Sequence, residues 1–323
     1  MRLSILATCV TLIVLGVLCE TLLRLAGHQP WTYNTKDEKE PVVYENDPVL
    51  GWRNKEGSYV FKAYSPDGED IRMTFLADGR RVTGQHKIEG RDKVVILGGS
   101  YTQGWAISDN ETYSWKLQNR FSDLEVLNYG SGGYGACQSL MLLEELLAGS
   151  KRPKTVVYGF MWHHEVRNVA PPRWIAALSK LSRRRAHVAV PYCTIESDGA
   201  LVRHPPESYT VWPLSEVSAT VRFVQDTYMR VRTRRRDSQK RQVTEKLFLE
   251  LSNLAKNHGA KFLVVLLYPS EKQRLHYLEF LQANGIQVVD CTYPMTEEMK
   301  VRGEGHPNGK MNTLWAECIG EAL

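Results

Sequence analysis

The chain has 323 residues, 43% of them hydrophobic and 24% charged, which excludes a disordered protein and leaves room for one large α/β domain with additions or two small domains. The formal net charge is +5, but the excess sits mainly in RRR at 183–185 and MRVRTRRRDSQKRQ at 229–242. Such runs read first as solvated helix faces, with phosphates or an acidic polymer as the alternative partner. The N-terminus opens on an uncharged stretch from Leu3 to Cys19, with Arg2 before it and Glu20 and Arg24 after it. As a helix it reaches ~26 Å, the low end for crossing a bilayer. No small-x-small site closes it and Cys19 makes a poor lipobox, so it reads as a retained membrane anchor, with a cleaved signal sequence as the alternative. The positive-inside rule then places the remaining ~300 residues on the exported, periplasmic or extracellular side, which argues against nucleic acid as a partner.

A polar stretch without periodicity, HQPWTYNTKDEKEP, reads as a tether. Residues 42–90 alternate apolar and polar around turn signals and predict short strands and hairpins. From Lys93 the pattern changes. Candidate strands at 93–97, 125–129, 155–160, 262–267 and 286–290 alternate with helical stretches near 112–121, 136–148, 216–257, 270–284 and 308–322. The strands are continuous apolar runs such as TVVYGF and FLVVLL, as expected where both faces of a parallel sheet are buried. The fold class that follows is a three-layer α/β/α sandwich on a five-stranded parallel sheet, behind an N-terminal transmembrane helix. The expected organisation is an anchor at 1–26, a tether and accessory β segment at 27–90, and a main domain at 91–323 carrying an insertion at about 169–215. Four cysteines outside the apolar segment, Cys137, Cys193, Cys291 and Cys318, are widely spaced; export permits disulfides, and the spacing leaves their connectivity open.

The chemistry concentrates at two turns. After the first strand, VVILGGSYTQG presents Ser100 on a strand-to-helix turn, the setting a nucleophile needs; taken alone, it also reads as an ordinary βα loop. A phosphate-binding loop is excluded there, because Trp105 and Ala106 stand where Lys and Ser/Thr are required. Near the C-terminus, GHPN at 305–308 offers His306, with Glu304 as the acid nearest in sequence. HEVRN at 164–168 falls one residue short of a zinc-binding HExxH, since Asn168 fills the second histidine's place, and no metal or other cofactor is expected.

These blocks resemble the SGNH/GDSL hydrolase superfamily, whose first block reads GDSxTxG where this chain has Gly98, Gly99, Ser100, Tyr101, Thr102, Gln103 and Gly104. The resemblance implies a flavodoxin-like sheet, Ser100 as nucleophile, His306 as base, Glu304 as the orienting acid, and an oxyanion hole from the N–H groups of Ser100 and Gly133, the latter in the N-x-G-x-x-G block of Asn128, Gly130 and Gly133. Three positions depart from the pattern. Gly99 replaces the Asp beside the serine, His163 and His164 stand in place of the block-three Asn-Asp pair, and Gly303 stands three residues before the histidine. A histidine N–H can donate to an oxyanion, so His163 is the expected substitute. The implied function is a serine esterase or O-acyl (acetyl) transferase acting on an ester such as an acylated carbohydrate at the cell surface. The alternative is a catalytically weak or inactive relative that binds a polysaccharide or an assembly partner. Aromatics of the insertion, Trp174, Tyr192, Tyr209 and Trp212, suit either sugar stacking or internal packing.

Overall fold

The computed structural model describes residues 2–34, 40–84, 91–149, 152–181 and 188–323. The arginines at 183–185 and part of the segment read as a tether lie outside the described residues. Helix α1 (Arg2–Leu25) is followed by two antiparallel pairs, β1 (Tyr44–Asp47) with β2 (Gly51–Asn54) and β3 (Gly57–Phe61) with β4 (Ile71–Phe75). Then come β5 (Asp92–Gly98), α2 (Ser100–Gln103), α3 (Tyr113–Arg120), β6 (Leu124–Asn128), α4 (Ala136–Ala148), β7 (Pro153–Met161), α5 (His164–Val169) and α6 (Pro172–Lys180). The chain continues through a pair formed by β8 (Ala189–Ile195) and β9 (Leu201–Ser208), α7 (Ala219–Arg232), α8 (Arg234–Ser238), α9 (Lys240–Asn257), β10 (Lys261–Tyr268), α10 (Glu271–Ala283), β11 (Gln287–Asp290) and α11 (Gly309–Gly320). The helical stretch expected over 216–257 is therefore broken. Thr233 leaves helical geometry at φ −105° and ψ 11°, between two clusters of like charge.

The residues form two compact units: Met1–Lys39 with Pro171–Ala189 and Glu207–Asp237, and Glu40–Ala170 with Val190–Pro206 and Ser238–Leu323. The larger unit is built on a parallel sheet in the order β11-β10-β7-β5-β6, the doubly wound arrangement in which ligands bind at the carboxyl edge where the winding reverses, here between β5 and β7. Because successive side chains alternate faces, Val94, Ile96, Val126, Val157, Leu263 and Val265 pack with Tyr113 and Leu117 of α3 and Met311 and Trp315 of α11. On the other face Phe160 meets Phe248 of α9 and Tyr277 of α10, with ring centroids 5.8 and 4.9 Å apart. These side chains are almost fully buried, each contributing ~1.5–3 kcal/mol by leaving water. The four cysteines pair as Cys137–Cys193 and Cys291–Cys318; the first joins α4 to β8, and the second joins the end of β11 to α11.

In the smaller unit α1 is uncharged and exposed from Ile5 to Cys19, carries Glu20 and Arg24 near its end, and is long and apolar enough to cross a bilayer over Ile5–Leu25. Trp31, in the segment read as a tether, is 1% exposed. Its ring stacks on Tyr209 at 5.2 Å and lies under the Arg222 guanidinium at 4.4 Å. Tyr209 thus packs internally.

Candidate active site

β5 delivers Ser100 to the switch point: the strand ends at Gly98, and Ser100 begins α2 after the extended Gly99. The turn is held from beneath by Arg81, fully buried, whose guanidinium donates to the carbonyls of Gln103 (3.0 Å), Gly104 (2.6 Å) and Ile107 (2.7 Å) and to Asp109 Oδ1 (2.9 Å). Asn128, at the end of β6, couples this turn to the glycine-rich loop. Its amide donates to Thr102 O (2.8 Å) and its Oδ1 accepts from Gly130 N (2.9 Å). Asn54 repeats the linkage from β2, donating to Gly130 O (2.9 Å) and accepting from Gln103 Nε2 (2.8 Å) and Ser131 Oγ (3.0 Å). The loop bearing Gly133 is thereby fixed beside the Ser100 turn by side chains with satisfied hydrogen bonds, a network that holds both segments rigid.

His306 arrives from the loop before α11. Its Nε2 lies 3.0 Å from Ser100 Oγ, and its Nδ1 lies 2.8 and 2.9 Å from the two Glu304 oxygens. With a carboxylate facing Nδ1, the assigned tautomer carries its proton there and leaves Nε2 to accept from the serine hydroxyl. A residue only two positions before the histidine reaches Nδ1, the ring nitrogen nearer the main chain, because the chain folds tightly. Gly303 and Gly305 adopt φ of +85° and +97°, a region that favours glycine, and the turn is closed by Val301 N donating to His306 O (2.7 Å) and Gly305 N to Val301 O (2.9 Å). Glu304 also accepts from the His306 N–H (2.8 Å) and from Trp105 Nε1 (3.1 Å). Burial alone would raise its pKa, but the bonds and charge of His306, together with Trp105, hold it below the usual carboxylate range. Asn308 anchors the loop to the helix behind it, accepting from Lys310 N (3.0 Å) and Met311 N (3.3 Å).

The floor beneath Ser100 is different. A Cβ on Gly99 would stand 2.6 Å from Arg167 Nη1 and 2.8 Å from His164 Nε2, so any side chain at this position must displace a guanidinium or an imidazole. Arg167 is 6% exposed and donates to Tyr134 O (3.0 Å), one residue after Gly133; burial draws its pKa down to about 10. His164 is fully buried, with Nδ1 2.7 Å from the Tyr158 hydroxyl, and burial beside Arg167 pushes it well below the ordinary histidine range. His163 follows β7, and its ring stacks on Trp162 with centroids 3.4 Å apart. Burial, Arg167 and His306 lower its pKa to about 4, so at neutral pH it is an uncharged imidazole with one N–H to donate.

The near-zincin segment is accounted for by packing. Glu165 accepts from the Tyr277 hydroxyl (2.8 Å), while Asn168 donates to Thr244 Oγ1 (2.8 Å) and accepts from Cys137 N (3.1 Å). Among the described residues no three His, Cys, Asp or Glu side chains gather as a metal site. Sequence reasoning passed over Arg81, Asn54 and Arg167, and it read Trp105 only as excluding a phosphate-binding loop, not as a donor to Glu304. Arg81 lies in a turn signal, and nothing local marks it as the residue that collects three carbonyls around the Ser100 turn.

No family model matches the chain, and no curated protein matches it. Among solved structures it is similar to a member of the lipolytic protein G-D-S-L family from Veillonella parvula (12% identity, 72% of this chain and 97% of that one, TM-score 0.40). It is also similar to TesA (13%, 72% and 98%, TM-score 0.42) and to the psychrotrophic esterase EstA from Pseudoalteromonas sp. (12%, 72% and 98%, TM-score 0.38). These likenesses are remote, and the reading of the site rests on its own geometry.

Proposed function

We propose that the protein is a membrane-anchored serine esterase or O-acyltransferase of SGNH type, acting on an ester at the exported face of the membrane, with acetylated extracellular polysaccharide as the substrate class. The observation that carries this reading is the continuous relay from Glu304 through His306 to Ser100, at 2.8 and 3.0 Å. In the forward step His306 Nε2 takes the Ser100 proton while Oγ attacks the acyl carbonyl carbon, and Glu304 stabilises the imidazolium that forms. The N–H groups of Ser100 and Gly133, with neutral His163, hold the tetrahedral oxyanion. The intermediate collapses by expelling the alcohol oxygen, which receives the proton from His306, and leaves an acyl-serine. Water or an acceptor hydroxyl then gives its proton to His306 as its oxygen attacks the acyl carbon, and the second tetrahedral intermediate collapses by breaking the bond to Ser100 Oγ, which takes the proton back from His306 and restores the free serine.

The test is turnover of a small acetyl ester by the full-length chain, with and without a sugar acceptor. Turnover above the Ser100→Ala background supports the reading, and acceptor-dependent loss of free acetate marks transfer. Turnover equal to that background assigns the fold to binding instead.

A further inference from the structure

The basic run at 229–242, which the catalytic reading leaves unused, belongs in part to a helix that starts at the end of the apolar anchor. Glu20 accepts from Ser218 Oγ (2.8 Å), Ala219 N (2.8 Å), Thr220 N (2.9 Å) and Thr220 Oγ1 (2.8 Å), and Arg24 Nη2 donates to Val217 O (2.8 Å). A carboxylate on α1 thus caps the N-terminus of α7, satisfying amide groups that a helix start leaves without partners. The uncharged stretch of α1 ends at Cys19, so on the anchor reading this clasp lies near the end of the membrane-length span Ile5–Leu25. It fixes the start of α7 there.

From that point α7 exposes the wrong surface for water. Val224, Tyr228 and Val231 are 49, 49 and 71% exposed at i, i+4 and i+7, a single stripe. Leu214 and Val217, just before the helix, are 67 and 66% exposed. Trp212 packs on Tyr228 with ring centroids 5.6 Å apart, an aromatic pair of the type enriched at membrane interfaces. The far end of the helix and the residues after it carry exposed Arg230, Arg232, Arg234 and Arg235. An apolar stripe on a helix whose start is held by the membrane-length α1, and flanked by arginines, has the composition of a helix lying in the headgroup layer.

We propose that the Val224, Tyr228 and Val231 stripe of α7, together with Leu214 and Val217 just before the helix, lies on the acidic phospholipid surface of the membrane that α1 crosses, with the arginines on the headgroups. The proposal rests on the anchor reading above. It is tested on the full chain with Cys9 and Cys19 replaced by Ser and a fluorophore on single cysteines introduced as L12C, V217C, Y228C, V231C or L275C. The last of these is an exposed site on α10. The labelled proteins are reconstituted in vesicles of phosphatidylcholine alone or mixed with phosphatidylglycerol at roughly 3:1, each carrying a lipid-borne quencher. In the acidic vesicles the labels at Val217, Tyr228 and Val231 are quenched at least about twofold more than that at Leu275, and the Val231 difference shrinks in phosphatidylcholine and in an R230Q/R232Q/R234Q/R235Q variant. A Leu12 label that is quenched while these three match Leu275 overturns the surface contact and spares the anchor. An unquenched Leu12 label overturns both. Protection of Val231 that grows with protein concentration in detergent shows a second copy on the face and also overturns the proposal.

Discussion

The two sides of Ser100 are built on different principles. On one side His306 and Glu304 come from a single loop, closed by its own backbone hydrogen bonds, with side chains 28 and 15% exposed. On the other, Gly99 of the turn after β5 meets His164 and Arg167 of α5 in a buried layer. The loop side links Glu304, His306 and Ser100 Oγ by hydrogen bonds in series, the arrangement that the proposed proton relay requires. The buried side sets shape: the volume that an acidic side chain beside the serine would fill is taken by a guanidinium and an imidazole, and the residue at that position is reduced to glycine.

The comparison predicts separable losses. The largest effect belongs to the loop side and its target: Ser100→Ala or His306→Ala should each lower kcat by roughly 10⁴–10⁶-fold, and the double variant should be little worse, because the groups act as a unit. Next is Glu304→Gln, expected to cost ~10²–10⁴-fold in kcat with unchanged urea-unfolding stability, as when a triad acid loses its charge. If Glu304→Gln proves harmless, the loop side is not the relay described.

The buried side should fail in the opposite sense. Gly99→Ala forces a Cβ within 2.6 Å of Arg167 Nη1 and should lower folding stability by ~1–3 kcal/mol, the usual cost of overpacking, read as a lower urea midpoint. The smallest effect is on pH dependence. His163 ionises in the unfolded chain near its ordinary 6.5 but in the folded protein only near about 4. The unfolded state therefore binds more protons in that window, and stability is complete above it and falls as pH drops through it. Buried His164 adds to the same acid-side loss. A His163→Asn variant should show a shallower decline between about pH 6.5 and 4, and an unchanged decline would place the titration elsewhere.

What was legible in the sequence follows the same division. Continuous apolar runs such as FLVVLL mark strands buried on both faces, and all five strands of the parallel sheet stand where those runs lie. Ser100, His306 and Glu304 were legible because their signals are local: a glycine turn after a strand, and a histidine two residues from its acid. Gly99 was visible as a departure, but its cause was not, since Arg167 lies 68 positions away along the chain and only the fold brings α5 against the turn after β5. Arg81 and Asn54 were hidden for the same reason. The paired cysteines and the Glu20 cap on α7 join segments 27 to 200 residues apart, and no local pattern encodes such partners.

The most direct test of the central claim is intact-protein mass spectrometry after treating the full-length chain with a fluorophosphonate, which traps a serine only when its oxygen is activated for attack. The account predicts one phosphonyl adduct on the peptide containing Ser100, absent in Ser100→Ala and strongly slowed in Glu304→Gln. No adduct on native protein, or one that persists in Ser100→Ala, would contradict it.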